Sequence, residues 1–147
     1  AWVFLGLIEA ALVMAGFFWV LLLADWSPGA DVSSGSPLHD DYLRATTITF
    51  AGIVACQIGT AVASRTEWAS LRAVGVFSNR LLLWGIAVEI VFTALLVYVP
   101  ALQDVFHTAA HGPTEVAVLA TCPVVVWGAD ELRRWRLRRR ARPRAAG

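Results

Sequence analysis

The sequence has no lysine, a single methionine, two cysteines and few charged side chains. Only 16% of its 147 residues are charged, against roughly 25% in an average soluble domain. A disordered chain needs more charge and less apolar content than this, and two cysteines are too few to staple a small secreted module. There is no Walker A loop, no Gly-rich dinucleotide turn, no zinc signature and no nucleophile elbow. A membrane enzyme is therefore the weakest reading. No internal repeat or separate soluble domain is visible. What is present in excess is apolar surface, at 58% of residues. The net charge of +1 conceals an asymmetry, because eight of the twelve arginines fall between Arg133 and Arg144. Such asymmetry points to a membrane or a nucleic-acid surface. The hydrophobicity selects the lipid bilayer, with no nucleic-acid partner. The chain opens on Ala1 and its methionine is Met14, the pattern expected of a processed chain or a fragment.

A bilayer-spanning helix needs about 20 mostly apolar residues. Four runs meet or approach that length, at about 1–24, 45–64, 81–99 and 114–132, with a basic tail over 133–147. The first is interrupted only by Glu9 and lacks the basic leader and cleavage site of a signal peptide. The third carries Glu89 in its middle and is ended by Pro100. The fourth has a short uncharged stretch, and Pro123 is expected to kink it. Arginine placement sets orientation. The connection 25–44 holds Asp25, Asp31, Asp40 and Asp41 with one arginine, and 101–115 has none. The loop 65–80 holds three arginines, and the tail eight. This alternation predicts an all-α, multi-pass bundle of four transmembrane helices with both termini cytoplasmic, in the cell membrane. Trp26, Trp84 and Tyr98 fall near span ends, as interfacial aromatics do.

Ionisable groups inside a span cost about 2.5–3.5 kcal/mol on insertion scales and usually face protein or water. Glu9 and Glu89 are such groups: either they line an ion path, or they are protonated or hydrogen-bonded ties between helices. The second span is more organised. Thr46, Thr49, Gln57, Thr60 and Ser64 share one helical stripe with Ile53 in register. Gly52, Cys56, Gly59 and Ala63 form a neighbouring stripe of small residues, which lets helix backbones approach closely. Gln57 and Thr60 then either make interhelical hydrogen bonds or lend oxygen to a hard cation. His107 and His111 have a metal-ligand spacing but no third ligand in register, so no metal is expected beyond a transported cation. Cys56 and Cys122 read as apolar fillers. Asp130 and Glu131 precede Arg133, Arg134 and Arg136, a spacing for ion pairs at a cytoplasmic helix end. The arginines that follow are placed to touch anionic headgroups.

Several stretches resemble the C-terminal membrane region of P-type cation-transporting ATPases, the calcium-pump and sodium-pump group. Ser78-Asn79-Arg80 followed by Leu81-Leu82-Leu83 resembles the start of that family's ninth helix. Tyr98-Val99-Pro100-Ala101-Leu102-Gln103 with Val105-Phe106 resembles the exit from it. Asp130-Glu131-Leu132-Arg133 resembles the end of the tenth helix, and Gly16-Phe17-Phe18 the seventh. Order and spacing match across nearly the whole chain, in wording expected of bacterial pumps.

The resemblance implies the last four of ten helices, numbered seven to ten, of a pump that hydrolyses ATP through an aspartyl-phosphate with Mg. It implies that most cation ligands lie on helices outside this chain, and that helix eight adds one polar side chain, at Gln57. Two-site calcium pumps carry glutamate there; one-site calcium pumps and sodium pumps carry glutamine. Glu89 matches a position that sodium-pump relatives associate with an additional sodium site. The phosphorylation loop and the nucleotide-binding and actuator domains are missing, so this stretch alone is expected neither to bind ATP nor to be catalytic. Its expected partners are the other helices and cytoplasmic domains of the pump and the transported cation. The alternative is an independent four-helix membrane protein, a small transporter or a regulatory or scaffold subunit. In that case Glu9, Gln57 and Glu89 should converge on one internal site.

Overall fold

A computed structural model describes residues 2–64 and 79–141. The basic loop 65–78, including Ser78, and the tail beyond 141 lie outside the described residues. The described chain is all-helical. In order it contains α1 (Trp2–Leu23), α2 (His39–Ala63), α3 (Arg80–Tyr98), the short α4 (Pro100–Phe106) and α5 (Pro113–Ala141). Among the described residues three helices are long and apolar enough to cross a membrane: Val3–Leu23 in α1, then α2 and α3. The 29-residue α5 has its apolar stretch bracketed by Glu115 and by Asp130, and it is not among those three.

Local chemistry explains where the helices stop and start. α1 ends in a Schellman motif, with Asp25 in the left-handed region (φ 56°). The Trp26 N–H donates to the Leu21 carbonyl at 3.1 Å and the Asp25 N–H to Leu22 at 3.3 Å. The turn into α2 is tied by the Asp31 carboxylate, which accepts from the Ser33 N–H at 2.9 Å. The Ser36 hydroxyl donates to the Asp31 carbonyl at 2.6 Å. Those Ser33 bonds hold the exposed Asp31 carboxyl below the usual range. Asp40 and Asp41 then fall in the first turn of α2, where the helix dipole favours negative charge. Asn79 caps α3, its side-chain oxygen accepting from the Leu82 N–H at 3.1 Å. Pro100 opens α4 and Pro113 opens α5, positions where the missing N–H is harmless.

α2 is the hub, packed along both α1 and α5, while α3 leans on it more lightly. One core cluster holds Leu5, Cys56, Cys122 and Val126; a second holds Val20, Leu21, Ala45 and Ile48. The four small residues Gly52, Cys56, Gly59 and Ala63 are all buried. The closest approach is at Gly59. A Cβ built there would lie 2.8 Å from the Pro123 carbonyl oxygen, 2.9 Å from its Cα and 3.0 Å from the Val126 Cβ. Two backbones therefore touch at this crossing, and only glycine leaves room for it. α5 continues through Pro123 as one helix.

Candidate functional site

The faces of α2 do different work. Ala51, Val54, Ala55 and Ile58 line an apolar cleft of about 280 Å³ shared with α3 and α5. The small-residue stripe is sealed against α1 and α5. On the remaining arc lies the polar stripe. Its threonines spend their hydroxyls locally: Thr46 donates to the Leu43 carbonyl and Thr49 to Ala45, each at 2.9 Å. Thr60 instead donates to the carboxylate of Glu9 on α1. That pair satisfies two polar groups between helices, where neither could be left without a partner in lipid. The Thr60 hydroxyl is engaged by Glu9, an arrangement that residue spacing did not reveal.

Gln57 is placed differently. Between Ala45 and Ala63 the exposed residues of α2 are Ile53 and Gln57, one turn apart. Ile53 is 44% exposed. None of α1, α3 or α5 covers this arc. Glu89 is half-buried on α3, a helix whose Leu81, Trp84, Val88, Val91 and Phe92 are exposed. No hydrogen bond or ion pair among the described residues joins Glu9, Gln57 and Glu89.

Both ends of the α2–α5 pair are held by buried charges. At one end Arg44 of α2 pairs with Glu115 of α5, which is 6% exposed. Arg44 also reaches Asp41 at 3.4 Å, and the Ala109 N–H donates to the Thr47 hydroxyl at 2.9 Å. His111 sits within this cluster, buried, with no hydrogen bond to either ring nitrogen of good geometry. Burial pushes its pKa down, reinforced by Arg44 and opposed by the Glu115 carboxylate and the Thr47 backbone. Its carbonyl accepts from the Tyr98 hydroxyl at 3.2 Å. His107 is exposed, in the left-handed C-cap of α4 (φ 52°), so the two histidines do not share a helix. Among the described residues no three His, Cys, Asp or Glu side chains gather as a metal site.

At the other end Asp130, 2% exposed, holds two arginines. Arg133 donates to it from Nε at 3.0 Å and from Nη2 at 2.8 Å. The buried Arg134 pairs with its second oxygen and also donates to the carbonyl of Ala63. That carbonyl belongs to the last turn of α2, where the helix has no intrahelical donor left. Arg134 thus caps α2 from α5, which the pattern of charges alone did not show. Arg138 pairs with Glu131 at 2.9 Å.

The sequence model of the family described as "Cation transporting ATPase, C-terminus" matches residues 1–136. The chain is similar to Calcium-transporting ATPase 1 of Schizosaccharomyces pombe, 36% identical over 97 residues. It is 34% identical over 98 residues to the protein of the same name in Yarrowia lipolytica. These alignments cover 66% and 67% of this chain and 11% of each relative. It is also 35% identical over 65 residues to human Calcium-transporting ATPase type 2C member 1, covering 44% of this chain and 7% of that protein. The chain thus spans about a tenth of the length of the curated relatives it matches. They are fungal and human, and lend no support to a bacterial source.

Proposed function

We propose, from the premise that this chain belongs to the family of cation-transporting ATPase C-terminal regions, that it supports the transport helices of an ATP-driven pump. In this reading it also lends one polar side chain, Gln57, to the cation path. The observation that carries the proposal is the exposure of Ile53 and Gln57 on a helix otherwise packed on its other faces. An amide left on an uncovered arc of a central membrane helix needs a partner, because lipid supplies none. The remaining helices of a pump would cover that arc and turn the Gln57 oxygen toward a hard cation. Calcium is the proposed cargo, since the similar proteins are named for calcium transport. ATP and Mg belong to pump domains outside this stretch, which contains no phosphorylation loop.

In the proposed topology α5 is the fourth span and both ends of the chain are cytoplasmic. Support comes from the packing of α5 along α2 and from arginines clustered after Asp130. The proposed location is the cell membrane, crossed several times. Glu89 is the weaker candidate ligand, since α3 carries it without a polar partner among the described residues. The independent four-helix reading requires Glu9, Gln57 and Glu89 to share an internal site. The outward Gln57 and the engagement of Glu9 by Thr60 speak against it.

The test is Gln57→Ala in the full-length pump. Losing one contact to a charged group corresponds to roughly a tenfold rise in the cation concentration for half-maximal ATPase activity, at unchanged protein yield. An unchanged half-activating concentration rejects the ligand role.

A further inference from the structure

α5 continues past Asp130 for three more turns, and here apolar side chains sit exposed among arginines. Leu132 is 46% exposed, Trp135 43% and Leu137 47%. Arg139 stacks over the Trp135 ring at 4.0 Å. Exposed leucine and tryptophan beside arginine are costly in water and favourable where headgroups meet acyl chains. At this level α5 and the start of α1 enclose a groove of about 290 Å³ lined by Phe4, Ala129, Leu132, Arg133, Arg136 and Leu137. One wall is apolar, and the rim carries two guanidinium groups. The charges do not cancel. The groove lining holds two arginines and no acid; Asp130 lies against one of them, Arg133. The other, Arg136, is exposed and pairs with no described acid, so the rim keeps a positive charge.

We propose that this groove is a binding site for one anionic glycerophospholipid, with its phosphate on Arg136 and Arg133 and an acyl chain along Phe4, Leu132 and Leu137. A zwitterionic lipid would bring its own cation to a rim already positive, so the site discriminates by headgroup charge. Inorganic phosphate satisfies the rim but leaves the apolar wall wet, so it binds far more weakly than the lipid. The lipid would staple the first helix to the last at the membrane edge, near the Arg134 cap on α2. That this membrane edge is the cytoplasmic one rests on the topology proposed above; the choice of ligand does not.

The experiment is native mass spectrometry of the full-length protein released from bilayers of phosphatidylcholine with one-fifth phosphatidylglycerol. Wild type is expected to retain one phosphatidylglycerol. Arg136→Gln should retain about fivefold less, corresponding to ~1 kcal/mol for one arginine near a surface. Leu137→Gln should also lose lipid, whereas excess inorganic phosphate should not displace it from wild type. Arg136 is exposed, so its loss leaves the fold intact, and circular dichroism checks this. Equal retention of both lipids, or equal retention by wild type and Arg136→Gln, overturns the proposal. Displacement by inorganic phosphate overturns the lipid as the ligand. Retention is read without reference to sidedness, so a C-terminal tag found outside the cell would refute the topology alone.

Discussion

Gly59 offers the sharpest perturbation, because the structure supplies a matched control on the same helix. At Gly59 an added methyl meets the Pro123 carbonyl oxygen at 2.8 Å, the Pro123 Cα at 2.9 Å and the Val126 Cβ at 3.0 Å. None of these atoms is the free end of a flexible side chain. α2 and α5 must therefore separate by several tenths of an ångström along their shared face. Overpacking of this kind costs about 1–3 kcal/mol, while replacing glycine by alanine within a helix returns up to ~1 kcal/mol. The strain wins at Gly59. At Gly52 the nearest atoms are the Val13 methyl at 3.5 Å and the Leu119 methyl at 3.9 Å, which is ordinary contact, so the propensity gain wins. Gly59→Ala should then melt lower than wild type and Gly52→Ala level with it or slightly higher. At roughly 3 °C per kcal/mol for a chain of this size, the gap between the two variants should be about 5 °C. The assay is thermal unfolding in detergent, followed by loss of the monodisperse peak. Gly59→Leu should abolish assembly altogether. If Gly59→Ala melts at or above Gly52→Ala, the backbone contact at Pro123 does not limit the fold.

Two further outcomes follow from the buried charges. Arg134→Met leaves Asp130 with Arg133 alone and the Ala63 carbonyl without its donor. It should cost about 3 kcal/mol, while Asp130→Asn combined with Arg134→Met should recover at least half of that loss. A single variant as stable as the double one, by the same melting assay, refutes the view that Arg134 offsets the buried Asp130 charge. His111 is held neutral by burial, with its pKa below its ordinary value of 6.5. The unfolded chain then takes up the proton first as pH falls, so the contribution of His111 is complete above about pH 6.5 and declines below it. Wild type should lose melting temperature more steeply than His111→Phe over that window; parallel profiles refute the effect.

Much of the architecture was legible in the residues. The runs 1–24, 45–64 and 81–99 coincide with α1, most of α2 and α3, because a long apolar stretch has few other ways to satisfy its backbone in lipid. Helix α4 was not foreseen, since its seven residues are too few for periodicity to register. It exists because Pro100 starts a turn and the Gln103 amide donates back to the Val97 carbonyl at 2.6 Å. Within the candidate site, the spacing of Gln57 and Thr60 put them on one stripe but could not separate their roles. Thr60 answers Glu9 across the helix boundary, while Gln57, less than one turn away, faces outward. That difference depends on where α1 crosses α2, which a residue list does not contain. The same holds for Arg134: its place four residues after Asp130 suggested a local ion pair, and its second bond, to Ala63, required the packed structure.

The sequence by itself determined what is periodic or cumulative: helical class, the apolar runs, the small-residue stripe and the arginine asymmetry. These follow from the helix repeat and from the energetics of moving side chains between water and lipid, which act residue by residue. Only the tertiary structure decided what depends on the crossing of helices. It brought the backbones at Gly59 and Pro123 together, engaged Glu9 with Thr60, capped α2 with Arg134 and left Ile53 and Gln57 uncovered. Those facts are set by contacts between residues tens of positions apart, whose geometry arises only when the helices have packed.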